Sequence, residues 1–230
     1  MMKTLSKNIK ITLLLIAFVL VANSCSNSSK DTEVKEGSEK SVTTSDDKSS
    51  KSQKSSYEEK EAAVNDKLKD SLEADYNKAL GAFFNGEYES TIKMADEIIK
   101  KDVNFYKAYN IKGIALCFYH NYDEGMKNID KCLSINPTFG YGRFNKALAY
   151  ELYGHYDEAL RWYDKALEIE NYVWSYYGKA SIYGRRGDVE NTVKYLKIAI
   201  EMDVSVKNEA RNEKDFDNVR NSAEFKKLVN

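Results

Sequence analysis

Tyrosine returns at a fixed step in this chain. Tyr88, Tyr122 and Tyr156 stand 34 residues apart, and Val189 takes the next slot 33 residues on. A sustained period of this length is that of a stacked helix–turn–helix unit. It constrains architecture before any single motif does. It also directs attention to an extended surface rather than an enzyme pocket.

The same residue types return around each of those positions. The third unit carries Asn145-Lys146-Ala147-Leu148-Ala149-Tyr150, Gly154-His155-Tyr156-Asp157-Glu158-Ala159-Leu160 and Tyr163-Asp164-Lys165-Ala166-Leu167-Glu168-Ile169. The second ends in Asn136-Pro137, and that proline stops a helix. The units bracket as 72–105, 106–139, 140–172 and 173–206. Ala79, Gly113, Ala147 and Ala180 fall at one place on the first helix of each unit; Thr91, Gly125, Ala159 and Thr192 fall at one place on the second. Small side chains there let two backbones approach closely. Glycine suits the left-handed turn between the helices in units one, three and four. His120 replaces it in unit two, so an adjusted turn is expected there. The short third unit marks the least regular junction, with a tilt of the fourth unit expected.

These residues resemble tetratricopeptide repeats over about 135 positions, and the third unit matches the pattern almost throughout. The resemblance implies an all-α fold: a right-handed superhelical solenoid of about four helix–turn–helix repeats with a C-terminal capping segment. It also implies that the first helix of every unit lines a concave groove for extended peptides or partner helices. By register, Tyr76, Asn110, Phe144 and Tyr177 form one row of that groove, and Glu73, Lys107, Tyr141 and Trp174 form a row beside it. The expected partner-binding residues are Tyr76, Lys107, Asn110, Tyr141, Phe144, Trp174 and Tyr177, with Asn110, Tyr141 and Trp174 read as exposed. Tyrosine and tryptophan are favoured at interaction hot spots. The family's clamp for chaperone C-termini is not expected, because Tyr76, Leu80, Ile111 and Tyr141 occupy its area. Lys78, Lys112, Lys146 and Lys179 form a ladder at one repeat position. It reads either as a basic strip or as snorkelling stems over neighbouring tyrosines.

The front of the chain has a different character. Lys3, Lys7 and Lys10 precede an apolar run from Ile11 to Ala22, too short for a membrane span of roughly 20 residues and suited to a signal peptide. The run closes on Ala22-Asn23-Ser24-Cys25. That resembles a bacterial lipoprotein signal, which makes Cys25 the expected lipidation site and residues 1–25 the signal segment; the alternatives are an ordinary cleaved signal, which gives a secreted soluble protein, and an uncleaved anchor. Residues 26–56 alternate serine, lysine and acids, so a disordered tether reaching roughly 30 Å is expected. Residues 57–71 read as a helical lead-in.

No catalytic constellation appears, and neither a cofactor nor a metal is expected. His120 and His155 sit at inter-helix turns, Cys132 reads as a small core residue, and no metal-type Cys/His spacing exists. A net charge of −1 argues against nucleic acid as a partner. The tail, 207–230, resembles the closing segment of bacterial members of the family. Phe216, Val219, Phe225 and Leu228 are placed to cover the last repeat, with Ser222 as a helix cap. The expected function is a non-enzymatic interaction scaffold anchored at the bacterial envelope, binding another protein or peptide. The alternative is a structural component assembled through repeat stacking.

Overall fold

A computed structural model describes the backbone of residues 48–230 and the side chains from Asn65 onward. Ten α-helices pack in consecutive pairs, with no strand among the described residues. They are α1 Lys48–Phe84, α2 Tyr88–Lys101, α3 Tyr106–Phe118, α4 Tyr122–Ile135, α5 Gly140–Leu152, α6 Tyr156–Leu167, α7 Val173–Arg186, α8 Val189–Met202, α9 Val206–Asn212 and α10 Ala223–Val229. A 3₁₀ turn, Lys214–Phe216, joins the last two. The first eight form four hairpins in an all-α solenoid, and α9 to α10 close its end. Residues 1–47, including Cys25 and most of the expected tether, lie outside the described residues. Residues 48–56 were assigned to that tether by composition. They are helical instead, because α1 runs unbroken through them and the lead-in to Phe84.

Each hairpin is closed by its small residues. Ala79, Ala147, Ala159, Ala180, Thr91 and Thr192 are fully buried. The two threonines satisfy their hydroxyls on the backbone one turn back, Thr91 on Glu87 O at 3.0 Å and Thr192 on Asp188 O at 2.6 Å. A buried hydroxyl thus costs little here. Acids in the first turns of α4 and α6, and the Asp188 side chain accepting from Asn191 N at 3.0 Å, serve the exposed amides of helix starts.

The turn of unit two is not adjusted. His120 adopts φ 67°, alongside 79°, 82° and 74° at Gly86, Gly154 and Gly187. The helix-ending geometry is shared, and His120 bears a left-handed strain of about 1–2 kcal/mol that glycine avoids. The recurring tyrosine then crosses to the next unit. Tyr88 stacks on Phe118 at 5.4 Å, Tyr122 packs on Tyr153 at 4.5 Å, and Tyr156 lies 5.9 Å from both Arg185 and Arg186. The short third unit is absorbed at the end of α6, which is 12 residues long against 14 for α4 and α8. Arg143 caps that end by donating to Lys165 O at 2.7 Å.

The lysine ladder is neither a free basic strip nor mere packing of stems. Lys112 meets Asp96 at 2.7 Å, Lys146 meets Asp130 at 2.5 Å, and Lys179 pairs with Asp164. Lys78 pairs with Asp75 on its own helix at 3.2 Å, whereas each of the other three ladder lysines binds an acid on the second helix of the preceding unit. Lys146 and Lys179 also sit over Trp162 and Tyr195 at 4.1 and 4.2 Å. Those three pairs join units rather than facing a partner. Because Asp164 remains largely exposed, Asp164→Ala is expected to cost only about 1 kcal/mol by urea denaturation.

Cys117 and Cys132 are buried free thiols, and burial pushes each up to about 12. They are inert packing residues.

Candidate functional site

The first helices of the four units, α1, α3, α5 and α7, bring the two predicted rows together but bury most of them. Tyr76, Asn110, Phe144, Trp174 and Tyr177 are each at most 5 % exposed. Only Lys107 and Tyr141 keep part of their surface. The expected exposure of Asn110 and Trp174 is thereby corrected. Neighbouring rings fill the space over them: Trp174 abuts Tyr177 at 5.4 Å, and Tyr177 meets Phe216 of the capping segment at 5.7 Å. Further along, Tyr141 stacks on Phe144 at 5.9 Å, and Tyr172 stands edge-on to Phe144 at 4.9 Å. Lys107 donates to Glu73 at 2.7 and 2.9 Å, so the second row pairs with itself across units one and two.

The floor beneath these rings retains polar groups without protein partners. Both side-chain polar atoms of Asn110, Trp174 Nε1 and Ser175 Oγ are buried and unpaired. Such groups are costly to leave unmade. Burial holds the Tyr141 hydroxyl up to about 12, so it is neutral at physiological pH.

A narrow cleft of ≈ 20 Å³, room for about one water molecule, lies between α5, α7 and the 3₁₀ turn. Phe144, Leu148, Leu152, Trp174 and Tyr177 supply its apolar lining, and Glu151, Ser181 and Asp215 supply polar groups. Glu151 accepts from Tyr163 OH at 2.7 Å, and Ser181 Oγ lies 3.0 Å from the other Glu151 oxygen and also contacts Asp215. Arg185 Nη2 stands 2.6 Å from Asp215. Burial raises Glu151 to about 7 and raises Asp215, with Arg185 opposing both. Sequence reading passed over this cluster. One signal was present: Glu151 occupies a repeat position held by buried Phe83 and Cys117 in the earlier units. At the same position in unit four, Gly184 leaves room for Phe216, whose ring lies 2.7 Å from where a Cβ would be.

Among the described residues, no group of three or more His, Cys, Asp or Glu could hold a metal ion, and no helix is long and apolar enough to cross a membrane.

Four stacked hairpins with small residues at each crossing and a covered last face form an all-α solenoid of the kind seen in tetratricopeptide repeat proteins. The tetratricopeptide repeat family model matches residues 142–172, the α5–α6 hairpin. The solved structure of TTC0263, "a thermophilic TPR protein" of Thermus thermophilus, is similar over 60 % of this chain and 78 % of its own, at 16 % identity and a TM-score of 0.55. That similarity establishes the fold. A crystal structure of MamA aligns over 60 % of this chain and 85 % of its own, at 23 % identity and a lower TM-score of 0.47. No curated protein matches the sequence. Repeat proteins of this type bind other proteins or peptides and are generally not enzymes.

Proposed function

We propose that this protein is an interaction scaffold held at the bacterial envelope by a lipid on Cys25, and that it receives a peptide or partner protein on its concave face. The observation that carries the second half is the run of aromatic side chains along the first helices, of which Tyr141 keeps part of its surface, next in its row to partly exposed Lys107. A half-exposed aromatic ring next to a cation offers a partner both apolar area and a polar contact. Tyr141, stacked on the Phe144 wall and still partly exposed, is the most accessible anchor. The first half rests on the apolar run and Ser24-Cys25 alone.

A photo-crosslinking residue in place of Tyr141, in the full chain in cells, is expected to capture a partner that the same residue at exposed Lys93 of α2 does not. Equal capture from both positions, or none from Tyr141, overturns the groove assignment. The lipid is tested separately. Cys25→Ala is expected to lose detergent-phase partitioning, and unchanged partitioning rules the anchor out.

Self-stacking is the less favoured reading. Segment α9–α10 covers the last unit, and Lys197 takes the place where Asp96, Asp130 and Asp164 receive the next unit's lysine. Lys78 of a following copy would meet a like charge there.

A further inference from the structure

The cleft's polar end holds more hydrogen-bond contacts than its ionised groups can make. Ser181 Oγ lies 3.0 Å from Glu151 Oε1 and also contacts Asp215 Oδ2. A hydroxyl carries one hydrogen and donates once. The second contact therefore needs a carboxyl proton, donated to the serine oxygen. The remaining partners decide where that proton resides. Asp215 Oδ1 faces the Arg185 guanidinium at 2.6 Å, which favours an ionised Asp215. Glu151 Oε2 accepts from Tyr163 OH at 2.7 Å and leaves Oε1 free to carry hydrogen. The chain then runs from Glu151 O–H to Ser181 and from Ser181 O–H to the Asp215 carboxylate, with Arg185 as counter-charge.

This hydrogen-bonded chain joins three elements: α5 through Glu151, α7 through Ser181 and Arg185, and the capping segment through Asp215. We propose that residues 213–216 are a strap across the C-terminal end of the groove, held shut by one proton on Glu151 and loosened when that proton leaves. The proposal rests on the groove reading for its biological use, but not for its test. Phe216 is the part of the strap that covers Tyr177, and Tyr177 in turn covers Trp174.

The charged groups around Glu151 support the same direction. Three buried carboxylates, Glu151, Glu213 and Asp215, share one guanidinium, Arg185. Ionising Glu151 puts two carboxylates on one hydroxyl, and Asp217 adds negative charge beside Asp215. From α6 comes only the neutral Tyr163 hydroxyl, and from α7 the neutral Tyr177 and the cationic Arg185. Burial raises Glu151 to about 7, against about 4.3 for a free glutamate. A raised carboxyl stabilises the closed form fully below the free value. That stability is lost as pH climbs to the raised value. The strap is therefore shut in acid and weakest above neutrality. Glu213 is raised to about 7 as well, but its side chain accepts from backbone amides within the strap itself, those of Lys214 and Asp215, the latter at 3.4 Å.

The test uses the full chain with Trp162→Phe, so that Trp174 is the one tryptophan left. Acrylamide quenching of Trp174 is expected to rise between about pH 5 and about pH 9, with a midpoint near 7 and unchanged far-ultraviolet circular dichroism. In Glu151→Gln the side-chain amide donates to Ser181 at every pH, so quenching should stay low and flat. Ser181→Ala cuts the chain and should give high, flat quenching in a folded protein. Flat quenching in the Glu151 protein overturns the proposal. A transition that survives in Glu151→Gln overturns it too and assigns the titration to Glu213. Neither readout involves a partner, so a failed strap and a failed groove are told apart.

Discussion

Gly113→Val will unfold the solenoid or leave it with a sharply lowered melting temperature. A Cβ at Gly113 falls 2.7 Å from Gly125 O and 2.9 Å from Ile129 N, and a Cβ at Gly125 falls 2.8 Å from Gly113 O. These neighbours are backbone, so no rotamer change relieves the clash. The α3–α4 pair must separate. Ordinary overpacking costs about 1–3 kcal/mol, and three added carbons, the first of them already against backbone, exceed that range. The total stability available to a domain is only about 5–15 kcal/mol. The loss spreads, because α3 and α4 carry both neighbouring interfaces of a one-dimensional stack. Ala147→Gly is the informative control. It changes the same repeat position in the opposite direction and is expected to cost only about 1 kcal/mol, through helix propensity. Thermal melts of the two variants decide the matter. A Gly113→Val protein that melts with the parent means the hairpin is not closed where the structure closes it.

Removing residues 210–230 will leave a protein that aggregates or melts far below the full chain. Phe216, Val219, Phe225 and Val229 are all buried against the end of the stack. Phe225 packs on Phe216 at 5.3 Å, and Phe216 fills the space above Gly184. Without them, α7 and α8 present an apolar face to water, which in repeat proteins leads to association. Phe216→Ala alone should cost about 3–5 kcal/mol by urea denaturation. Light scattering of the truncated chain tests the larger claim. A soluble truncated monomer with an unchanged melting temperature would sink it. Ser222 caps α10 as its position suggested, by accepting from Phe225 N at 3.2 Å. The covering residue at the end is Val229 rather than Leu228, which stays half-buried.

Much of the fold was legible from spacing. A repeat that returns every 34 residues carries its contacts with it, so Ala147 against Ala159 implies Gly113 against Gly125 without knowledge of either helix's path. The ladder was half legible. Asp130 and Lys146 stand 16 residues apart, as do Asp96 and Lys112, but their pairing requires the second helix of one unit to lie beside the first helix of the next. The groove was the least legible part. Register places Asn110 and Trp174 on the first helices, where both are buried. Whether a side chain there reaches water depends on the bulk of residues from other units, such as Tyr172, and on a capping segment that doubles back.

The order of residues by itself determined the hairpin unit, the close crossing of its helices, the tyrosine that packs each turn and the need for a cap. All of these follow from periodic local pattern, because each is a contact within one unit or with the next in line. Only the tertiary structure decided which groove residues stay exposed, that three of the ladder lysines tie units together, and that Glu151, Ser181 and Asp215 meet in one buried chain. Asp215 lies 34 residues from Ser181 and 64 from Glu151, outside the regular repeats. The step from Ser181 equals the repeat length, but Asp215 stands in a 3₁₀ turn and not on a helix of a fifth hairpin. The space above Gly184 and the hydrophobic seat of Phe216 bring it there.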